Sequence, residues 1–557
     1  MKVARARFHL SVDLLRDYLH GSHDEWEKHH SLVDLLSLDP VFDKKLRPFM
    51  SRSEQYKRTL KLVSRLLELK DQYKWTPKEY ATAEGLLGEP LPFALHTAAF
   101  APVFFSQGSP RLVEKYGQLI ANRGILGCYI QTELGHGSNV TGLETTAVYL
   151  PKTQEFEIHS PTLTSTKCIV MSQGWIIAKA ITIAVRYATV RRQGNTNQDE
   201  SERQIITYPS VYYRLLPILS RAYVFILMGR KIAAMFAPLS KRVEEGDTSP
   251  LAEMHAISSG LKSLTTTVAI QDVETTRRAL GGHGFSEFAG LGRIYADNVP
   301  STTYEGDNFV LDQQVSRAAV KAFQAFASVS TPSTNSTPPL TPSNFYLRTL
   351  SSSNHDGTSL PSRHTLIDSA SPKTLVDVLE KRAACVVRQH VATLHDSDAS
   401  IEQRVARAVM DAFVARQALE ILEGAESALG PEEVAALTNL LTLYLLTTIE
   451  TALVDVLSFH ILSSTTNEDP TVQIRRSIRD ICLNLLPQAV GLTDAFGFTD
   501  WELDSSLGRF DGNVYESLWE RAQMEPLNQS EVPDGYEDFL KPILQRGQRL
   551  SSGRAKL

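Results

Sequence analysis

Residues 127–167 read GCYIQTELGHGSNVTGLETTAVYLPKTQEFEIHSPTLTSTK, and the chain changes character within them. The first part is a loop rich in Gly, Thr and His, in which Thr132, Glu133 and His136 suit turn chemistry. Two short alternating runs follow, Thr145–Leu150 and Glu155–His159, parted by Pro151-Lys-Thr-Gln154. Alternation on both sides of a proline-containing break predicts a β-hairpin. Two strands alone are marginally stable in water and leave both edges open, so this hairpin ought to begin a sheet. No further strand follows it. The polar tail Ser160–Lys167 leads through Cys168–Trp175 into a strong apolar helix predicted over Ile176–Gln193. Ile177, Ala180, Ile181, Ala184 and Val185 share its buried face, and Arg191 and Arg192 stand at its end. The sequence therefore points to a segment missing just after Lys167.

On either side the pattern is helical. Residues 10–21, LSVDLLRDYLHG, predict a short helix stopping at Gly21. Thr59–Tyr73 places Leu60, Val63, Leu66, Leu67 and Leu69 near one helical face, with Ser51 or Ser53 available as a cap. Residues 76–122 predict two or three more helices, broken by Gly85, Gly88, Pro90, Pro92 and Gly108-Ser-Pro110. From 205 to 327 long helices fit a bundle, with Tyr213–Arg242 mostly apolar and a helix from Glu253 to Leu280. Residues 328–344, SVSTPSTNSTPPLTPSN, have linker composition. Runs near 375–395, 401–428, 431–463 and 471–488 predict a second helical domain. The expected fold is mainly α. It has an N-terminal helical domain (1–126), a loop with a remnant β-hairpin (127–167), a helical bundle (168–327), the linker, a C-terminal helical domain (345–552) and a short tail (553–557).

Composition bounds the function. The 557 residues are 42% hydrophobic and 22% charged, ordinary for a globular protein. A net charge of −6 argues against nucleic-acid binding. Cys128, Cys168, Cys385 and Cys482 lie far apart, so neither a zinc site nor a disulfide framework is expected. His136 and His283 lack a Cys or His partner at ligand spacing, so no metal site is expected. His255, on an apolar helix, is expected to be a hydrogen-bonded core histidine. No run of 18 apolar residues predicts a membrane span.

The order of residues 129–147 carries more than their composition. The pattern Y-x-Q-T-E-L-G-H-G-[ST]-x-x-x-G-L-E-T-x-A, present without a gap, resembles the flavin-contacting segment of the peroxisomal acyl-CoA oxidases, within the acyl-CoA dehydrogenase superfamily. The resemblance runs from about Leu10 to Leu557. It implies FAD as cofactor, acyl-CoA and O2 as substrates, a homodimer, and the peroxisome matrix as location. Thr132 and Gly135 would then contact the flavin; glycines let backbone approach closely. The family carries a sizeable middle β-domain after the S-P-T-L-T-x-T-K motif, beginning W-W-x-G-G-x-G; here it is absent. Ala555-Lys556-Leu557 resembles the Ser-Lys-Leu address read by the peroxisomal import receptor.

The remaining candidates each have two readings. Glu305, in Tyr304-Glu-Gly-Asp-Asn308, reads alone as a surface carboxylate; by resemblance it is the base that removes the α-proton of the thioester. Asp307 and Asn308 are turn formers or cofactor neighbours. Gly281, Gly282 and Gly284 read as helix C-caps. With Arg278 they also resemble the R-x-x-G-G-x-G-[FY] segment by which one subunit reaches the partner's FAD. Arg191 suits a helix C-terminus, and Tyr187 to Arg191 resembles another contact to the partner's FAD, although Gly194 stands where relatives often carry Phe. The expected activity is oxidation of acyl-CoA to trans-2-enoyl-CoA with production of hydrogen peroxide. The alternative is a non-catalytic relative that pairs with a full-length subunit, or the product of a skipped exon or faulty gene assembly.

Overall fold

Helix starts in the computed structural model follow short-range capping rules. It describes residues 1–93, 95–127, 146–150, 155–159, 173–196, 202–245, 247–304, 306–329, 340–351, 364–365, 371–394, 399–463, 469–532 and 534–554. After α1 (Lys2–Ala6), Ser11 caps α2 (Val12–His20), which stops at Gly21 with φ 113°. Ser22 caps α3 (His23–Leu38). Ser51 and Glu54 form a capping box on α4 (Arg52–Tyr73), and Thr76 and Glu79 another on α5 (Pro77–Leu86). α6 (Ala101–Gln107) and α7 (Pro110–Ala121) complete the first helical unit. Its own core joins Leu32, Leu36, Phe42, Leu62, Leu66 and Leu69 with the apolar face of α5. Leu60 and Leu67 are only half-buried. The buried stripe is Thr59, Leu62, Val63, Leu66 and Leu69, the set that keeps helical spacing over the whole length of α4.

The hairpin forms as expected. β1 (Thr146–Leu150) pairs antiparallel with β2 (Glu155–His159), Thr146 opposite His159 and Leu150 opposite Glu155. The next helix, α8 (Gly174–Val190), ends at Val190 rather than Gln193. Arg192–Thr196 (β3) instead pairs with Glu202–Gln204 (β4) in a second small hairpin. Gly194, with φ 85°, lets the backbone turn there, and its N–H donates to Glu202 Oε1 at 3.2 Å.

The bundle continues with α9 (Pro209–Glu244), α10 (Leu251–Ala279), α11 (Leu291–Asn298) and α12 (Asn308–Val329). Then come α13 (Arg348–Ser351), α14 (Pro372–Ala392), α15 (Ala399–Ala425), α16 (Pro431–Thr451), α17 (Leu453–Ser458) and α18 (Pro470–Leu485). Four shorter helices close the chain: α19 (Ala489–Asp494), α20 (Asp500–Leu503), α21 (Val514–Gln523) and α22 (Lys541–Arg554). A two-residue parallel pairing, His364–Thr365 with Leu462–Ser463, joins β5 to β6. The helices before and after the 328–344 stretch share one hydrophobic core, reaching from Leu10 through α8, α9 and α10 to α14–α16 and Val514. α9 and α16 are each long and apolar enough to cross a membrane. Their leucines at 215, 216, 219, 440, 443 and 445 are nevertheless buried in this core. Cys385 and Cys482 are free and buried.

α8 is the centre of that core, with every residue from Ile177 to Thr189 except Lys179 buried. Ala178, Ala180, Ala184 and Ala188 let neighbouring helices approach closely. Within this apolar helix sits Arg186, 1% exposed. Its Nη2 donates to Asp494 Oδ1 at 3.0 Å and its Nη1 to the Gly508 carbonyl at 2.8 Å. Arg5 Nε donates to the other oxygen of Asp494 at 2.6 Å. Removing one partner of a buried pair leaves an uncompensated charge; loss of Asp494 strands both Arg186 and Arg5, whereas loss of Arg186 leaves Asp494 paired with Arg5. Asp494→Ala is therefore expected to lower unfolding free energy by about 3–5 kcal/mol in urea titrations, and Arg186→Met by clearly less.

Candidate active site

Two groups of expected site residues lie along α10, one at its middle and one at its C-terminal end. Glu305, Thr132, Gly135, His136 and Ala555–Leu557 lie outside the described residues, as do Cys128 and Cys168. The residues after Glu305 are well fixed. Gly306, with φ 96°, makes the turn; a Cβ there would stand 2.9 Å from Leu311 Cδ2. Asp307 Oδ1 accepts the Phe309 N–H at 3.0 Å and starts α12. Asn308, 7% exposed, is the pivot. Its Nδ2 donates to Thr266 Oγ1 and Thr267 Oγ1 at 2.9 Å each and to the Ser263 carbonyl at 3.2 Å. Lys262 Nζ donates to Asn308 Oδ1 at 2.9 Å and to the Gly306 carbonyl at 2.5 Å. Ser263 Oγ donates to Asp312 Oδ1 at 2.7 Å, and burial pushes that carboxyl up from the ordinary range. Asp307 and Asn308 thus have the turn-forming role. Lys262 and Asp312 escaped the sequence reading because nothing local marks them. Lys262 and Gly306 are 44 positions apart and meet only once α12 has packed on α10.

The other group gathers at the C-terminus of α10. Arg277 and Arg278 both donate to Glu274, at 2.8 and 2.7 Å. Burial pushes the Glu274 carboxyl up, but these two hydrogen bonds outweigh it and hold the group below its ordinary value. Arg277 also covers the Phe285 ring at 4.3 Å. The turn Gly281–Phe285 then brings His283 to 5.6 Å from Tyr187 on α8, ring to ring. One helical turn beyond Tyr187, Arg191 donates to Tyr515 Oη at 3.0 Å. Tyr187 and Arg191 therefore stand beside the glycine turn, with Arg278 just before that turn near the end of α10. At 1.5 Å per residue, Gly281 stands roughly 20 Å along α10 from Thr266. His255 corrects an expectation. It is exposed on the first turns of α10, whose core face is carried by Ala256 and Ile257.

The three glycines separate by their surroundings. Gly284 is required by packing, since a Cβ would lie 2.0 Å from the Arg277 carbonyl oxygen. Gly281 has φ 61°, the conformation of a helix C-cap. Gly282 has neither constraint: its φ is not positive, and a Cβ there meets nothing within 4 Å. The largely exposed Arg278 guanidinium, beside exposed backbone at Gly281 and Gly282, fits a phosphate-bearing cofactor. Among the described residues no cluster of His, Cys, Asp and Glu could hold a metal ion. Two outcomes follow. Gly284→Ala should lower the melting temperature, while Gly282→Ala leaves it unchanged in the same thermal scan. Asn308→Ala should cost about 1–3 kcal/mol and speed amide hydrogen exchange over 306–312.

Comparison with known proteins identifies the family. Residues 11–126 match the acyl-coenzyme A oxidase N-terminal family, residues 162–320 the acyl-CoA oxidase C-alpha1 domain, and residues 371–545 the acyl-CoA oxidase family. Peroxisomal acyl-coenzyme A oxidase 1 of Arabidopsis thaliana is 28% identical over 649 positions, covering 94% of this chain and 95% of the relative. That alignment is longer than the 557-residue chain, so the relative carries residues this chain lacks. The solved structure of Arabidopsis thaliana acyl-CoA oxidase 1 superposes with a TM-score of 0.88 at 26% identity, covering 98% of both chains. Acyl-CoA oxidase-2 of Caenorhabditis elegans, solved with FAD, ascaroside-CoA and ATP bound, gives 0.85 at 25% identity over 98% of this chain and 97% of that one. The chain belongs to the acyl-CoA oxidase family, a family of oxidoreductase enzymes.

Proposed function

We propose that this protein is an FAD-dependent acyl-CoA oxidase of peroxisomal fatty acid β-oxidation, converting acyl-CoA and O2 to trans-2-enoyl-CoA and hydrogen peroxide. The observation that carries the proposal is the locked turn directly after Glu305, where Lys262 and Asn308 hold Gly306 in place. A base must be held still relative to the carbon it deprotonates, because proton transfer needs hydrogen-bond reach. Glu305 removes the α-proton of the thioester. Enclosure of its carboxylate would raise its pKa towards that of the weakly acidic substrate. When bound, FAD supplies the acceptor for the β-hydride and passes the two electrons to O2.

Thr132 and Gly135 would hold the cofactor from the same subunit, with Asp307 and Asn308 fixing the turn after Glu305. Arg191, Arg278, Gly281 and Gly282 would meet the FAD of the partner subunit in a homodimer. The roughly 20 Å between the two groups along α10 supports that division, because each chain then offers one group to each of two sites. The peroxisomal names of the relatives support a location in the peroxisome matrix, reached through the import receptor that would read Ala555–Leu557.

A second reading has its own support. Among the described residues, β1 and β2 are the only strands between α7 and α8, and the relatives carry additional residues. A chain without a full β-domain could serve as a non-catalytic partner of a complete subunit. The visible spectrum decides. Protein purified with FAD should show a flavin band that bleaches when a long-chain acyl-CoA is added without oxygen, and Glu305→Gln should keep the band but not bleach. A protein that shows no flavin band after purification with FAD would sink the oxidase proposal and leave the partner reading.

A further inference from the structure

Arg191 is held by a group 324 positions away in the chain, the phenol of Tyr515 on α21. That helix is fixed along one side. Val514 is 1% exposed in the common core, Ser517 Oγ donates to Ser506 Oγ at 3.0 Å, and Arg521 Nη2 donates to Asp504 Oδ1 at 2.9 Å. Tyr515 lies about 100° round the helix from Val514 and is 43% exposed. Its phenol therefore stands at the surface on a rigid element, within hydrogen-bond reach of the end of α8.

The nature of this contact sets Arg191 apart from the arginines around it. Arg186 is paired with Asp494, and Arg277 and Arg278 are paired with Glu274. Among the described residues, no carboxylate oxygen lies within 4 Å of the Arg191 guanidinium, and Tyr515 is its one hydrogen-bond partner. A phenol oxygen orients a guanidinium without cancelling its charge, and leaves the other N–H groups open to an anion. That bond holds the guanidinium above its ordinary pKa. Because Tyr515 Oη accepts from Arg191, its own hydrogen points elsewhere, and no acceptor for it stands among the described residues. A guanidinium with a hydroxyl donor beside it matches the oxygens of a phosphate or diphosphate. Tyr187, whose phenol lies in the field of both Arg191 and Tyr515, connects the pair to His283 of the glycine turn, ring to ring at 5.6 Å.

We propose that Tyr515 is a further cofactor-binding residue, which holds Arg191 without neutralising it and donates its own hydroxyl hydrogen to the diphosphate of the partner subunit's FAD. The inference rests on the oxidase reading, which gives Arg191 to that cofactor. It adds a contact from the C-terminal domain to those from α8 and the glycine turn.

The test titrates apoprotein of the full-length chain with FAD, read by quenching of flavin fluorescence. Tyr515→Phe keeps the ring and removes the hydroxyl. It should raise the Kd for FAD about tenfold and leave the melting temperature of the apoprotein unchanged. Tyr515→Glu should bind more weakly still, because its carboxylate pairs with Arg191 but cancels the charge that the diphosphate needs. A merely structural anchor would instead be rescued by Glu. Once Arg191→Met has removed the guanidinium, adding Tyr515→Phe should cost no more than about threefold, since the two residues act together. Three results would overturn the inference and leave the oxidase reading standing: parental FAD affinity in Tyr515→Phe, parental affinity in Tyr515→Glu, or a melting temperature of the apoprotein that falls in step with the affinity. A parent protein that takes up no FAD overturns both.

Discussion

The buried contact between Arg186 and Asp494 is the constraint on which the architecture turns. A guanidinium enclosed by apolar helices needs a counter-charge and hydrogen-bond acceptors. Asp494 supplies the charge and the Gly508 carbonyl supplies an acceptor. Because Asp494 also accepts from Arg5, one carboxylate ties the N-terminus, the central helix and the last quarter of the chain together. The surrounding residues obey the same geometry. A Cβ on Gly491 would collide with the Phe8 ring at 2.2 Å, and one on Gly508 would stand 3.0 Å from Ile183. The N-terminal helix and the 491–508 segment therefore pack around α8 as part of one core.

Much of this was legible locally. The capping boxes at Ser51–Glu54 and Thr76–Glu79, the stop at Gly21, and the β1–β2 hairpin each depend on residues within a few positions of one another. Such features survive translation from pattern to structure because no distant segment is needed to form them. The misses share the opposite property. The strand β3 exists because Glu202–Gln204 returns alongside it. Leu60 and Leu67 were assigned to a face by spacing alone, but the helices that pack on α4 favour the stripe through Leu62. His255 lies beside core residues in sequence yet faces outwards, since adjacent positions on a helix point about 100° apart.

The site divides along the same line. The glycine turn and Tyr187–Arg191 were recognisable as motifs, and the fold brings them together. The grip of Lys262 and Asn308 on the turn after Glu305 was not, because its two sides come from different helices, α10 and α12. Motif reading finds groups that touch a ligand. It passes over residues whose work is to hold those groups, since their chemistry, a lysine on a carbonyl, is common everywhere.

The short β-region bears on chemistry more than on folding. α8 would need a sheet for its stability only if it kept an apolar face uncovered, and it does not: α9, α10 and α19 pack around it, and its residues from Ile177 onwards, Lys179 apart, are buried. Both groups of site residues are likewise anchored on α10, with support from α8 and α12. The forces that fix the helical frame are thus internal to the helices and do not depend on what stands between α7 and α8, so a stably folded chain is by itself no sign of a working enzyme.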